Sequence, residues 1–343
     1  MGPFQQGLTR ALLCSILLIE PVFALPNRPL LPRASSSASV ATASASTCNG
    51  RAEYCNRSYS NITFVGSHDA PFVGKLPQQN QNIEITAQLD MGIRFLQAQT
   101  HHSIIDKVLE LCHTSCWLED AGKLESFLST VKEWMDKNPN EVVTLLLTNG
   151  DSLGVDKFGD AFSKSGLDKY AFEPSSDSLS LKDWPTLGKL ISSEKRLVVF
   201  LGESCMNFIN ISFLPCIQTD INIDYGADTS SVKYILDEFK YYFETPYDVT
   251  DKTFKDCSID RPSGASADGR MYIVNHFLDV DVFGADVPDR GAADDTNAAT
   301  GNGSIGAQAS ECAALYKRAP NAVLADFVDK GEVIKAQDQL NGF

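Results

Sequence analysis

Apolar runs of strand length alternate with amphipathic stretches along the chain from residue 60 onward. Several runs, such as residues 142–147, are apolar throughout, which is typical of strands buried on both faces of a parallel sheet. The pattern predicts strands over residues 62–66, 93–98, 109–112, 142–147, 197–201, 241–243, 271–274 and 323–327.

Helical periodicity fills the intervals between these runs. It is clearest over residues 123–137, where apolar side chains recur every three or four positions. Further helices are predicted over residues 82–91, 155–164, 187–194, 231–239 and 310–318. Eight strands with intervening helices over about 290 residues predict an α/β fold of the scale of a (β/α)8 TIM-type barrel. A doubly wound open sheet is the alternative that periodicity alone leaves open.

The N-terminal region has a different composition from the rest of the chain. Residues 1–24 combine Arg10, a short apolar run and a small residue, Ala24, as a secretory signal peptide does. The run is too short to span a bilayer. Residues 25–47 are rich in Ser and Ala and indicate a flexible linker. We therefore expect the barrel to occupy residues 48–343 and the protein to be secreted; a disordered N-terminus is the alternative.

Cysteine usage and glycosylation motifs agree with export. Eight cysteines lie beyond Cys14, an even number that suggests four disulfides. Local pairing predicts Cys48–Cys55, Cys112–Cys116, Cys205–Cys216 and Cys257–Cys312, although spacing alone does not fix the pairs. Four N-x-S/T motifs mark candidate glycosylation sites at Asn56, Asn61, Asn210 and Asn302.

The charge balance limits the partners. A formal net charge of −15 disfavours nucleic acid or an anionic bilayer as the main partner. It leaves room for a small phosphorylated substrate bound in a local pocket. We expect a monomer, with at most transient contact with a membrane surface, for which Trp117 is the better candidate among the three tryptophans.

Polar residues follow the predicted strands, where a barrel builds its active site. All five histidines of the chain lie at or just beyond such strand ends, which favours a shared site; they are His68, His101, His102, His113 and His276. Carboxylates and amides at other strand ends include Glu203, Glu244, Asn275 and Asp326.

Three segments carry a resemblance to a known family. They are residues 64–70 (FVGSHDA), 92–96 (GIRFL) and 111–113 (LCH). Together they resemble the catalytic half of phosphatidylinositol-specific phospholipase C. The segments 97–101 (QAQTH), 111–116 (LCHTSC), 324–327 (LADF) and 329–331 (DKG) resemble secreted fungal members of the phospholipase-C-like phosphodiesterase superfamily. The resemblance runs from about Cys48 to Asn341.

The resemblance implies a distorted (β/α)8 barrel and a two-histidine mechanism. In that mechanism an inositol hydroxyl attacks its own phosphodiester and yields a cyclic phosphate. In that mechanism His68 is the general base and His113 the general acid, because imidazoles titrate near neutral pH. Asp69 polarises the attacking group, and Asp326 holds His68 in its tautomer. Gln97, Gln99, His101, Asn275 and His276 are the expected substrate-binding residues.

The chain departs from the family at two of these positions. Calcium-dependent members place Glu and Asp, and calcium-independent members Asp and Arg, where this chain has Gln97 and Gln99. A neutral amide replaces neither a metal ion nor a guanidinium facing phosphate. Three explanations stay open: a cation from elsewhere, such as protonated His101; a metal held by His101 or His113 with Asp69; or binding without turnover.

We therefore expect a secreted phosphoric diester hydrolase of phospholipase C type, acting on a small phosphodiester or a phospholipid headgroup. No cofactor is predicted, and a metal recruited by the histidines is one of the open alternatives. The alternative from another functional class is a catalytically weak or inactive barrel that binds glycans or lipid headgroups.

Overall fold

The computed structural model describes residues 46–103, 107–176, 178–203, 227–282 and 284–343. The predicted signal peptide, almost all of the predicted linker, the Cys205–Cys216 pair and Asn210 lie outside the described residues. In the part that is described, no helix has both the length and the apolar character needed to cross a bilayer.

Eight parallel strands form the centre of the fold. They curl in the spatial order β7-β6-β5-β2-β1-β12-β9-β8. The strands are β1 (Phe64–Ser67), β2 (Phe95–His102), β5 (Val143–Asn149), β6 (Leu197–Glu203), β7 (Ile235–Asp237), β8 (Tyr242–Glu244), β9 (Met271–Asn275) and β12 (Ala322–Ala325). The prediction of a distorted, disulfide-stapled barrel is confirmed.

Four further strands lie outside this parallel array. β3 (Leu109–Cys112) and β4 (Asp120–Lys123) form an antiparallel hairpin attached to the end of β2, while β10 (Asp279–Val282) and β11 (Ala285–Pro288) form a separate hairpin. The prediction that residues 109–112 form a barrel strand was wrong in this respect. They are extended but run antiparallel to β2, and β5 takes the place beside β2.

The helices lie between the strands as the periodicity indicates. They are α1 (Ile85–Met91), α2 (Leu124–Lys137), α3 (Val155–Ser165), α4 (Leu187–Ser192), α5 (Glu238–Tyr241), α6 (Ala293–Thr296), α7 (Ile305–Tyr316) and α8 (Val333–Leu340). The predicted helix over residues 231–239 was wrong. Its apolar residues Ile235 and Leu236 instead form β7, and only the last residues enter α5.

Between β7 and β8 the described strands share no backbone ladder, so the barrel is open there. Side chains bridge this seam instead. Glu238, just after β7, lies so close to Gly202 of β6 that a Cβ there would meet its carboxylate at 2.0 Å. Glu238 also hydrogen-bonds with Glu244 at the end of β8, and Glu244 pairs with Arg261. Glycine at position 202 is therefore required by the close approach of Glu238.

Two buried clusters show which face of each strand points inward. One packs the outer face of the sheet against the helices and includes Leu96 and Leu145; the other fills the interior and includes Phe95 and Leu146. Side chains alternate between the two faces of a strand. Gln97 and Gln99 have the parity of Phe95 and thus lie on the interior face, toward the carboxyl end of β2.

Three of the predicted disulfides join described residues, with the pairing expected from the sequence. Cys48–Cys55 and Cys257–Cys312 have Cα–Cα distances of 5.1 and 5.2 Å. Cys112–Cys116, with a Cα–Cα distance of 4.7 Å, closes the tip of the hairpin of β3 and β4. The last of these lies beside a candidate catalytic histidine.

Candidate active site

The chain leaves β1 through a sharp turn that carries His68 and Asp69. Gly66 inside β1 has no room for a side chain, because a Cβ would lie 2.7 Å from the carbonyl oxygen of Phe95. Asp69 is fully buried and has a positive φ of 44°, a conformation that Asp tolerates better than most residues. Gln97 secures the turn, since its Oε1 accepts a 2.7 Å hydrogen bond from the Asp69 backbone N–H.

His68 is held on three sides. Its Nδ1 donates to Asp326 Oδ1 at 2.9 Å. The Phe277 ring stacks flat on the imidazole, with a centroid distance of 3.6 Å and an interplanar angle of 3°. The Nδ1 hydrogen bond leaves Nε2 as the nitrogen that faces Asp69 Oδ2, at 3.5 Å. This is the tautomer and orientation a general base needs.

Asp326 is itself positioned by residues that the sequence reasoning missed. Asn80 Nδ2 donates to Asp326 Oδ1 at 3.1 Å, and Asn297 Nδ2 donates to the Asp326 backbone carbonyl at 2.7 Å. Gln81 Nε2 donates to the backbone carbonyl of His68 at 2.7 Å. These amides come from loops whose composition carries no catalytic signal, so only the tertiary structure reveals them.

His113 reaches the same carboxylate from a different element. It lies at the tip of the hairpin of β3 and β4, directly after Cys112. Its Nε2 is 3.2 Å from Asp69 Oδ2, and its ring packs edge-on against Phe72. The Nε2 atoms of the two histidines therefore flank one carboxylate oxygen.

The electrostatics of the cluster favours positive charge on both histidines and negative charge on Asp69. Burial alone would lower the pKa of His68, but the carboxylates of Asp69 and Asp326 outweigh it and raise the pKa to about 9. Burial also opposes the charge on His113, yet its hydrogen bond to Asp69 raises its pKa. The two imidazoles hold the pKa of Asp69 below its usual range against the effect of burial. The carboxylates thus favour the protonated form of both histidines relative to a free imidazole.

Burial raises the pKa of Asp326 above its usual range, and the hydrogen bonds from His68 and Asn80 only partly oppose this. Oxygen Oδ2 of Asp326 and Oδ1 of Asp69 are buried and have no hydrogen-bond partner among the described residues. These two oxygens can therefore accept further hydrogen bonds beside the histidines.

Gln97 and Gln99 both form hydrogen bonds with Asp69. Gln99 Nε2 donates to Asp69 Oδ2 at 2.9 Å, and its Oε1 accepts from the Thr114 backbone N–H at 3.1 Å. Gln97 Oε1 is used by the Asp69 backbone. The residues at these two positions do not fit a calcium ion, because they are neutral amides whose oxygens already accept hydrogen bonds.

His101 does not join the two central histidines. Its Nδ1 lies 3.2 Å from Asp151 Oδ1, in the loop after β5, and its ring packs against Gly150. The role of His101 in substrate binding therefore stays a prediction, with Asp151 as the partner of its Nδ1. Across the described ranges, Glu110, Cys112 and Cys116 form the one group with metal-ligand spacing, and its cysteines are joined in a disulfide and offer no thiolate.

The structure separates Asn275 and His276. Asn275 Nδ2 donates to Glu244 Oε2 at 3.2 Å, so this amide belongs to the polar cluster at the seam of the barrel. His276 is fully buried, with Nδ1 2.5 Å from Gln308 Oε1 and Nε2 2.9 Å from the Thr296 carbonyl. Burial lowers the pKa of His276. Both of its nitrogens are used within the protein, so the ring stabilises the wall of the barrel.

Exposed apolar side chains surround the mouth of the site. Trp117 is 98 % exposed on the loop that follows His113. Leu118 lies on the same loop, and the remaining members follow the carboxyl ends of other barrel strands; the set comprises Leu76, Trp117, Leu118, Tyr247, Val280 and Val282. Gln78 and Gln79 both donate to the Glu119 carboxylate and so join the loop after β1 to the loop that carries Trp117.

Comparisons with known proteins show the family to which the chain belongs. The family model described as PI-PLC X 1 matches residues 54–213 and 219–341. The chain is 52% identical over 296 residues to "PI-PLC X domain-containing protein 1" of Arthroderma benhamiae, covering 86% of this chain and 89% of the relative. It is 42% identical over 295 residues to an "Uncharacterized secreted protein" of the same fungus, covering 83% of this chain and 61% of the relative.

A solved structure confirms the fold. Phosphatidylinositol-specific phospholipase C from Listeria monocytogenes aligns with a TM-score of 0.52 at 15% identity, covering 84% of this chain and 96% of that one. At this identity the likeness concerns the fold alone. The family match spans most of the sequence, and the chain belongs to the PI-PLC X domain family.

Proposed function

We propose that this protein is a phosphodiesterase of phospholipase C type that cleaves its substrate with His68 and His113. The observation that carries the proposal is the approach of both Nε2 atoms to one oxygen of Asp69, at 3.5 and 3.2 Å. Such a pair offers one base and one acid on opposite sides of a small anion.

The reaction that fits this geometry is an internal displacement at phosphorus. A hydroxyl of the headgroup attacks the phosphorus atom while Nε2 of neutral His68 takes the hydroxyl proton. Because the pKa of His68 is about 9, this neutral form is the minor one at neutral pH and increases as the pH rises. The bond from phosphorus to the leaving oxygen breaks, and His113 Nε2 gives that oxygen a proton. The products are a cyclic phosphate and a free alcohol. Asp326 and Asn80 keep His68 Nε2 aimed at the hydroxyl, through the 2.9 and 3.1 Å contacts on Asp326 Oδ1.

Charge compensation then comes from the histidines. Related enzymes use calcium or arginine, but here Gln97 and Gln99 are engaged with Asp69 and Thr114. Protonated His113 can supply positive charge to the phosphate, because its hydrogen bond to Asp69 raises its pKa and so favours the cationic form. Preorganised charge of this kind is usually the largest contribution to lowering the barrier.

The chain is proposed to be secreted and to meet its substrate at a lipid surface. A 42% identical relative carries "secreted" in its name. Asn56, Asn61 and Asn302 are exposed and therefore sterically open to glycosylation. The apolar side chains around the mouth can contact a lipid surface. The net charge of −15 favours a zwitterionic bilayer over an anionic one, because an anionic bilayer repels the chain.

The test is turnover of phosphatidylinositol in mixed micelles by the wild type and by His68→Ala and His113→Ala. Each replacement is expected to lower kcat by about 10²-fold to 10⁴-fold. His102→Ala, a histidine outside the cluster, is the matched control and should keep wild-type activity. Full activity of either catalytic variant would refute the scheme.

A second candidate is a barrel that binds an anionic headgroup without cleaving it. It is favoured by the pKa of about 9 at His68, which leaves little neutral imidazole for base catalysis at neutral pH. Saturable binding of glycerophosphoinositol by folded protein, with no product at any pH from about 6 to 10, would support this candidate and exclude the first.

A further inference from the structure

We propose that the Cys112–Cys116 disulfide is the positioning element of His113, so that catalysis depends on the redox state of this one bond. The inference rests on the proposed function of His113 as general acid. It concerns how the hairpin tip is held, which the family resemblance does not specify.

His113 is carried by an element that is not part of the barrel. The hairpin of β3 and β4 is attached to β2 through three register pairs, in which Thr100, His101 and His102 face residues 109–111. The pairing of β3 with β4 is irregular between Glu110 and Cys112, next to the histidine. The parallel barrel ladder therefore does not fix the position of His113.

The side chain of His113 has few contacts that set its orientation. Its Nε2 contacts Asp69, whereas Nδ1 is buried and has no hydrogen-bond partner among the described residues. His68 differs, because Asp326 and Phe277 fix its ring. The edge-on packing against Phe72 and the contact with Asp69 require the backbone to keep His113 in place. That backbone is held by the 3.2 Å hydrogen bond from the His113 N–H to the Glu119 carbonyl and by the disulfide.

The disulfide constrains that backbone directly. The bond encloses only His113, Thr114 and Ser115, and within it Thr114 has a positive φ of 58°. The Thr114 backbone N–H donates to Gln99 Oε1, which joins the closed loop to β2. Opening the disulfide would release the three residues from this strained conformation and let the imidazole leave Asp69.

A reductant can reach this bond. Cys116 is partly exposed at the rim of the site, while Cys112 is buried. A dithiol would attack the Cys116 sulfur, form a mixed disulfide and release the Cys112 thiol. Its second thiol would then free Cys116, so that the protein gains two thiols and the dithiol becomes a cyclic disulfide.

The test compares the double variant Cys112→Ser/Cys116→Ser with Cys48→Ser/Cys55→Ser. The control bond also closes a short loop, with a sequence separation of 7 against 4, so loss of either bond changes the chain entropy by a similar amount. The control bond lies near the amino end of the described chain, away from β3. Melting temperatures of both variants establish that each folds.

Leaving-group dependence distinguishes positioning from general damage. Loss of a general acid slows departure of an alkoxide far more than departure of a nitrophenolate, which needs no proton. We expect the Cys112/Cys116 variant to lose at least about 10-fold in kcat on phosphatidylinositol. On the nitrophenyl diester of inositol phosphate, which keeps the attacking hydroxyl, the loss should be less than about 3-fold. Equal losses on both substrates, or no loss on either, would overturn the proposal.

An NMR titration tests positioning without turnover. The contact with Asp69 raises the pKa of His113, so in the Cys112/Cys116 variant this pKa should move toward about 6.5 while that of His68 stays raised. An unchanged pKa for His113 would overturn the inference even if the enzyme is active. If the proposed function is wrong, the wild type will show no turnover. The titration still tests in that case whether the disulfide positions His113 beside Asp69. Should the double variant not fold, wild type reduced by a dithiol and alkylated at Cys116 takes its place.

Discussion

Replacing Asp326 by Asn tests the electrostatics of the base most sharply. Asp326 Oδ1 accepts from His68 Nδ1 at 2.9 Å, and Asp69 Oδ2 lies 3.5 Å from Nε2. Against the opposing effect of burial, these two carboxylates raise the pKa of His68 from about 6.5 to about 9. At about 1.4 kcal/mol for each unit of pKa, the imidazolium is stabilised by about 3 kcal/mol.

Asparagine keeps the shape of the acceptor but removes its charge. We expect the pKa of His68 in Asp326→Asn to fall by at least about one unit, with Asp69 maintaining the remainder. The charged and titratable groups that act on His68 are Asp69, Asp326, Asp279, Asp248 and His113, and all but Asp326 are unchanged in the variant. Long-range ¹H–¹⁵N spectra of the imidazoles between pH 5 and about 10 measure this value directly.

The same shift predicts a pH dependence of stability. The pKa of His68 is higher in the folded protein than in the unfolded chain, so its contribution is complete below pH about 6.5 and disappears as the pH rises through about 9. The difference in unfolding free energy between wild type and Asp326→Asn should shrink over that interval. A wild-type pKa near 6.5, or an unchanged pKa in the variant, would refute the reasoning.

Three further outcomes are expected. Chelators should change kcat by less than about 2-fold, and a loss above about 10-fold would show that a metal takes part despite the engaged amides. Asn80→Ala should lower kcat about 5-fold with little change in KM, since one hydrogen bond to Asp326 of about 1 kcal/mol is lost; an unchanged kcat would exclude a positioning role. Burial and the neighbouring Glu244 raise the pKa of Glu238 well above its usual range, which favours its neutral acid form. Glu238→Gln should therefore lower the free energy of unfolding, measured in urea, by less than about 1 kcal/mol. Glu244→Gln should cost about 3 kcal/mol because it leaves Arg261 without its partner, and equal costs would contradict this assignment.

The barrel was predictable because its strongest signals are local. Continuous apolar runs identified seven of the eight parallel strands, and the three cysteine pairs closed as adjacency suggested. β7 was missed because it contains only three residues followed at once by a short helix, so its apolar residues match helical spacing equally well. Residues 109–112 were misplaced because sequence shows that a segment is extended but not which strand it pairs with.

The candidate site was predictable only where the motif itself carries the residues. His68, Asp69, His113 and Asp326 come together as the resemblance implied. His276 shows why the other positions were not predictable. A histidine after a strand can bind substrate or pack in the core, and here Gln308, far away in the sequence, hydrogen-bonds it within the core. Asn80 was invisible for the same reason, because a loop amide acquires its role only through the fold.

The departure at Gln97 and Gln99 has a structural meaning that the sequence did not show. The two amides do not stand in for a cation, since they order Asp69 and the loop of His113. The positive charge of the site is then carried by the histidines, in agreement with the raised pKa of His68.

The most direct test of the central claim is ³¹P NMR of the product formed from phosphatidylinositol by the wild-type protein. Internal attack with His68 as base and His113 as acid predicts that a cyclic phosphate appears first and that His68→Ala forms none. A phosphomonoester as the first product, or cyclic phosphate formed at the wild-type rate by His68→Ala, would contradict the two-histidine mechanism.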